Sequence, residues 1–376
     1  MVSDSFTEYS NQSWFGRIGS SIKGIIFGLI FFLGAFILLF WNEGRAVKRY
    51  KLLKEGKNIV VSVDANNVDS LNEGKLVHIS GVATTDEILN DEDFGIAVKA
   101  IKLKRTVEMY QWQEHKKRRK KKKLGGGTTT KTTYTYSKSW SSNLIDSSNF
   151  KVSTGHENPV DMPYSSYEKK ANKVHLGAFY LSSSLIDKIS GYEHLPAKKN
   201  QLTDDAGFKV RNGDYYIGGS LSNPKVGDVR ISFQVIRDTE ISVVSAQVGN
   251  KLEPYKTKSG DELAMLEQGI LSADTMFKQA EESNAVLTWI LRIVGFIIMF
   301  IGLSMMFKVL SVVADVIPFL GSIVGFGVGI ISFLAALMFS ALTIAIAWIT
   351  FRPFIAITLI LLVVGCILLV TSKLKK

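Results

Sequence analysis

The chain has 376 residues, 46% of them hydrophobic and 21% charged, with a formal net charge of +11 and a single cysteine. Length alone would allow two or more soluble domains, but much of the apolar content is gathered into a few long runs, which leaves one water-facing domain of ordinary size. Cys366 has no partner for an intrachain disulfide, so a disulfide-stapled scaffold is excluded.

A tail, 1–23, leads into the first apolar run, Gly24 to Trp41. As a helix that run is about 27 Å long at ~1.5 Å per residue, just enough to cross a ~30 Å hydrocarbon core. No small-residue cleavage pattern follows it, so a retained anchor is expected rather than a signal peptide. Residues 42–284 read as a β-rich α+β domain. Val229, Ile231, Phe233 and Val235 alternate with polar residues, and Leu76 to Ser80 and Glu240 to Val248 suit strands as well. Gly81, Gly213, Gly227 and Gly249 are expected to mark turns. Val107 to Gln113 and Thr132 to Trp140 predict a long hairpin with a disordered tip, 115–133. Ser272 is the expected cap of a helix that leads into the second span.

Three further spans are expected: 285–307, then 319–348 after a connecting loop at 308–318, then 354–370, before a basic tail at 371–376. The fold class is thus an integral membrane protein with four transmembrane helices, one N-terminal and three C-terminal, and both termini on one side. Trp41, Trp289 and Trp348 sit at span ends, where an indole favours the headgroup region. Orienting charges give two answers. All basic residues near the spans slightly favour a cytoplasmic domain, whereas short segments alone set Arg17, Lys23, Lys308, Lys373, Lys375 and Lys376 against Arg352 and favour cytoplasmic termini.

The strongest charge feature is the run Lys116, Lys117, Arg118, Arg119, Lys120, Lys121, Lys122 and Lys123. Anionic lipid, nucleic acid, a nuclear-import signal and a solvated loop tip all fit such a run. Nucleic acid ranks lowest, because no aromatics interleave with the charges. Arg292 is an intramembrane charge seven residues past Ala285, close enough to snorkel to the interface, and Asp315 lies at the other end of its span. Gly321, Gly325 and Gly329 recur every four residues, as do Gly24 and Gly28, a spacing that lets helix backbones approach. No catalytic, cofactor-binding or metal-binding set is expected. His78, His115, His156, His175 and His194 are scattered, and the acidic clusters Asp91 to Asp93 and Asp204 with Asp205 suit solvated loops.

Several strings resemble the transmembrane protein 43 family, also called LUMA: LLFWNEGRAVK at 38–48, NEGKLVHISG at 72–81, VEMYQW at 107–112, LIDK at 185–188, VGDVRISF at 226–233 and KSGD at 258–261. The membrane end continues the resemblance with Thr288, Trp289, Leu291 and Arg292, then Gly302 to Met306, Asp315 to Phe319 and Trp348 to Pro353. The resemblance implies a self-associating, four-span, non-enzymatic protein of the endoplasmic reticulum and inner nuclear membrane in animals, linked there to lamins and emerin, with its domain lumenal. In a bacterium the membrane would be the inner membrane, the domain periplasmic, and those two partners irrelevant. The basic stretch from Lys116 to Thr133 is not a family motif. The expectation is a scaffold that organises membrane assemblies, with membrane lipids and further copies as partners. A channel or transporter subunit using Arg292, and a membrane-surface enzyme with a dispersed site, are the alternatives.

Overall fold

The computed structural model describes residues 5–197, 208–354 and 357–358. Contacts divide the chain into two compact units. One holds the residues up to Thr7 with Glu55–Lys117 and Thr132–Lys278; the other holds Glu8–Lys54, Arg118–Lys131 and the residues from Gln279 onward. Asp204, Asp205, Cys366 and most of the expected fourth span, 354–370, lie outside the described residues.

The first unit is β-rich, as the alternation predicts. Its larger sheet is assembled from β1 (Ser5–Gln12), β3 (Lys102–Lys122), β4 (Thr128–Ser141), β5 (Asp214–Ile217) and β6 (Val229–Ile236), in the order β1-β4-β3-β6-β5, with Phe208–Arg211 beyond β5. The β6 register places Ile231 opposite Val107 and Val229 opposite Met109, so the apolar positions of both strands face one core around Phe94. A second sheet pairs β2 (Leu76–Thr84) with β7 (Thr239–Val248), which is flanked on its other edge by β8 (Met265–Gln268). Ile79, Ile241 and Val243 lead a separate core there.

Two expectations in this unit change. Gly81 is not a turn: it lies inside β2 opposite Ile241, and a Cβ there would come within 3.3 Å of the Leu176 side chain. Asp91 is not solvated either. It is 1% exposed and accepts from Arg105 Nη1 at 3.0 and 3.2 Å and from the Tyr167 hydroxyl. Arg105 occupies an inward position of β3, so the pattern that buries Leu103 and Val107 buries this cation too. Removing one partner of such a pair costs about 3–5 kcal/mol, because the other charge is left uncompensated. Burial and the hydrogen bond to Asp91 push the Tyr167 phenol well above its usual range.

The hairpin is present, but its tip is ordered: β3 runs through Lys122, β4 resumes at Thr128, and Gly125 and Gly126 take the positive φ angles (+78° and +76°) of the turn. The basic run is therefore strand as far as Lys122, with residues 115–121 exposed on both faces. Among the described residues, three helices are long and apolar enough to cross a membrane: α1 (Trp14–Ile59), α2 (Ala273–Ala314) and α3 (Pro318–Phe351). Each exceeds its apolar run, since polar flanks can stay helical outside lipid. α2 begins just after Ser272, whose Oγ accepts from Thr275 N at 3.3 Å, and it absorbs most of the expected 308–318 loop. Pro318 supplies the first helical position of α3, where a missing N–H costs nothing.

His78 in β2 links the second sheet to the chain entering α2. Its Nε2 lies 2.9 Å from the Leu271 carbonyl and its Nδ1 lies 3.1 Å from Ser62 Oγ, which fits a neutral ring that donates to the former and accepts from the latter. Burial lowers its pKa, opposed by the bond to Leu271. A histidine depressed in the folded state contributes stability that is full above its unfolded value, about 6.5, and is lost as pH falls through the folded value. Thermal unfolding in detergent should therefore move to lower temperature as pH drops from about 7 to 5, and His78→Gln should flatten that part of the profile; an unchanged profile would remove His78 as its source.

Candidate functional site

The second unit gathers its polar side chains at two places along the helices. The first follows the end of the first apolar run, where Asn42 and Glu43 on α1 meet Thr288 and Arg292 on α2 and Trp348 on α3. Glu43 is fully buried and Arg292 is 14% exposed. Arg292 donates Nε to Glu43 Oε1 at 2.6 Å and Nη2 to Oε2 at 2.9 Å, and Trp348 Nε1 donates to Oε2 at 2.8 Å. Planar guanidinium and planar carboxylate make this fork a directional contact. The Arg292 guanidinium also lies 4.8 Å from the Trp289 ring centroid and 5.8 Å from that of Trp348.

One turn away, Asn42 Nδ2 donates to the Thr288 carbonyl at 3.0 Å, and Arg45 reaches Thr288 Oγ1 and Asn284 Oδ1, each at 3.0 Å. Arg292 therefore does not snorkel. An unpaired Arg at the middle of a bilayer costs at least about 2.5–3.5 kcal/mol, and Glu43 neutralises it on site. Close backbone approach underlies this geometry: a Cβ on Gly28 would meet the Gly302 carbonyl at 2.7 Å, and one on Gly295 would meet Leu39 at 2.5 Å. Phe32, Phe36 and Phe339 then fill the space with edge-to-face rings.

The second place is the α2–α3 turn. Asp315, 1% exposed, takes Arg17 from the start of α1 and Lys122 Nζ at 2.6 Å from the hairpin. Trp14 Nε1 donates to the Val312 carbonyl at 2.9 Å, Arg17 Nη1 to the Gly126 carbonyl at 2.6 Å, and Gly125 N to the Val316 carbonyl at 3.1 Å. Gly126 lies flat on the Trp14 ring, where a Cβ would come within 2.3 Å.

The glycines expected to pack do so unequally. Gly28 lies at the α1–α2 crossing, Gly321 leaves room for Asp315, and Gly325 lies beside Ser311 Oγ, 2.9 Å from where its Cβ would be. Gly24 and Gly329 meet nothing within 4 Å among the described residues. In the basic run, Lys116 Nζ stands 4.8 Å from the Tyr134 ring centroid and Lys123 Nζ binds Asn11 Oδ1 at 3.0 Å. Lys117, Arg118, Arg119, Lys120 and Lys121 are exposed. Glu43, Asn42, Gly295, Gly302 and the role of Arg17 were not anticipated. A signal for Glu43 does exist in the sequence: a carboxylate just past the first apolar run and Arg292 early in the second fall toward the same end of antiparallel spans.

A family profile described as Transmembrane protein 43 matches residues 109–353. Among curated relatives, Transmembrane protein 43 of Rattus norvegicus is 37% identical over 94% of this chain and 90% of its own length. The Homo sapiens protein of that name is 36% identical over 92% and 88%, and a homolog from Drosophila melanogaster is 33% identical over 72% and 73%. No solved structure matches the chain.

Glu43→Ala is expected to lower stability by about 3–5 kcal/mol, the cost of leaving Arg292 buried without its anion. Glu43→Leu combined with Arg292→Met should lose much less than the losses of Glu43→Leu alone and Arg292→Met alone added together. Thermal unfolding of the four proteins in one detergent gives the cycle; additive losses would show that the fork carries no coupling.

Proposed function

Because the chain belongs to the transmembrane protein 43 family, we propose that this multi-pass membrane protein is a non-enzymatic scaffold that self-associates and organises assemblies of other membrane proteins. The observation that carries the reading is the closed Glu43–Arg292–Trp348 fork. A charge that serves a permeation path must remain available to the permeant, whereas Arg292 is spent on fastening three helices together. The histidines support the same reading. His78 links backbone segments, and His156 stacks on Tyr136 at 3.9 Å with Trp112 against its edge, so both act as packing groups.

Self-association is favoured by Gly24 and Gly329, which meet nothing among the described residues, since a bare helix face lets a second helix come close. The membrane would be the inner membrane in a bacterium, or the endoplasmic reticulum and inner nuclear membrane in a eukaryote. Lamins and emerin would be partners only in an animal cell. The short-segment charges favour cytoplasmic termini, with the bulk of the domain periplasmic or lumenal.

Two measurements test the proposal. Proteoliposomes containing the protein should show no ion flux above empty vesicles, and flux that disappears with Arg292→Met would favour the channel reading instead. Gly329→Leu should leave the unfolding temperature unchanged, because its Cβ position is open, while shifting the species on blue-native gels to lower mass; an unaltered pattern would remove this glycine from any contact between copies.

A further inference from the structure

Around the turn of α1 that follows Trp41, the second unit holds two adjoining cavities. One, of about 930 Å³, is floored by Phe36, Ile37, Phe40, Leu342 and Ile346, and its other end is lined by Arg45, Lys48 and Lys51. Among the described residues no carboxylate lines it. The other, of about 600 Å³, lies against Tyr50, Trp289, Arg292, Arg352 and Phe354, with Glu281 as its one acidic group among the described residues. Val47, Lys51 and Phe351 line both. Phe351 can stand at the boundary because Gly44 has no side chain: a Cβ there would come within 2.8 Å of its ring.

Two features of this space point to one ligand chemistry. The lining changes along α1 from wholly apolar to basic within about three turns, at the level where Trp41 and Trp289 are exposed as interfacial indoles. Two of the lining cations are also without a salt bridge. Among the described residues Lys51 and Arg352 form no ion pair, and Glu43, the nearest buried carboxylate, is already taken by Arg292. A neutral alkyl chain would satisfy the floor and leave the cations idle; a free anion would do the reverse. We propose that these cavities form a binding site for an anionic glycerophospholipid, with an acyl chain on the Phe36–Phe40–Ile346 floor and the headgroup phosphate between Lys51 and Arg352. Cationic side chains flanking a membrane helix attract such headgroups, and here the fold adds a recess for the chain. The site is separate from the basic run Lys116–Lys123, which lines neither cavity.

The test uses the full-length protein purified in a neutral detergent, with native mass spectrometry to count bound lipid and thermal unfolding to measure its effect. Phosphatidylglycerol should remain bound and raise the unfolding temperature, while phosphatidylcholine and inorganic phosphate should do neither. Lys51→Glu with Arg352→Glu should weaken phosphatidylglycerol binding at least tenfold without moving the lipid-free unfolding temperature, since neither residue joins the Glu43 fork. Ile346→Trp, which fills the floor, should weaken binding with every charge in place. Replacing residues 116–123 by serine should leave binding at this site unchanged. Equal binding of the two phospholipids, competition by inorganic phosphate at the lipid's own concentration, or loss of binding only in the serine variant would each overturn the assignment.

Discussion

A buried carboxylate placed where three helices meet is the constraint on which the membrane unit depends. Glu43 is inaccessible to water, so it has to be satisfied by the protein, and the partners that satisfy it come from two other helices. Nonpolar contact between lipid-facing helices is weakly directional, because lipid tails are as apolar as leucine. The fork to Arg292 and the bond from Trp348 therefore supply what packing alone lacks, a fixed rotation and depth for α1, α2 and α3. The glycines at the Gly28–Gly302 crossing let the helices come close enough for those bonds to reach.

Similar logic recurs in the β-rich unit at Arg105. A cation on an inward strand position is tolerated because Asp91 and the Ser165 carbonyl accept from it and the Phe94 and Tyr167 rings lie beside it. In both units a buried ion pair stands beside aromatic rings. Each arrangement is a costly way to gain stability but an effective way to specify one packing, because any other arrangement leaves a charge bare.

Much of the architecture was legible in the sequence because it follows from periodicity. The alternation in Val229–Ile236, the apolar runs and the Ser272 cap each depend on residues close in the chain. What stayed hidden depends on residues far apart. Glu43 and Arg292 are separated by 249 positions and Arg17 and Asp315 by 298, and no local pattern announces either pair. Composition also misled in an instructive way. Eight consecutive cations followed by glycines look like a disordered tip, yet the β3–β4 ladder continues through them, because strand pairing is a backbone interaction and Lys122 and Lys123 have partners at the turn. Gly81 misled similarly, since a glycine inside a strand can serve close packing as well as a bend.

The seat of that hairpin turn bears on the order in which the chain can assemble. Asp315 lies between α2 and α3, and the two cations that meet it, Lys122 and Arg17, precede it by 193 and 298 positions. Both are therefore synthesised long before their anion. The turn that carries Gly125 and Gly126 can be seated only once the segment around Asp315 and Val316 has been made.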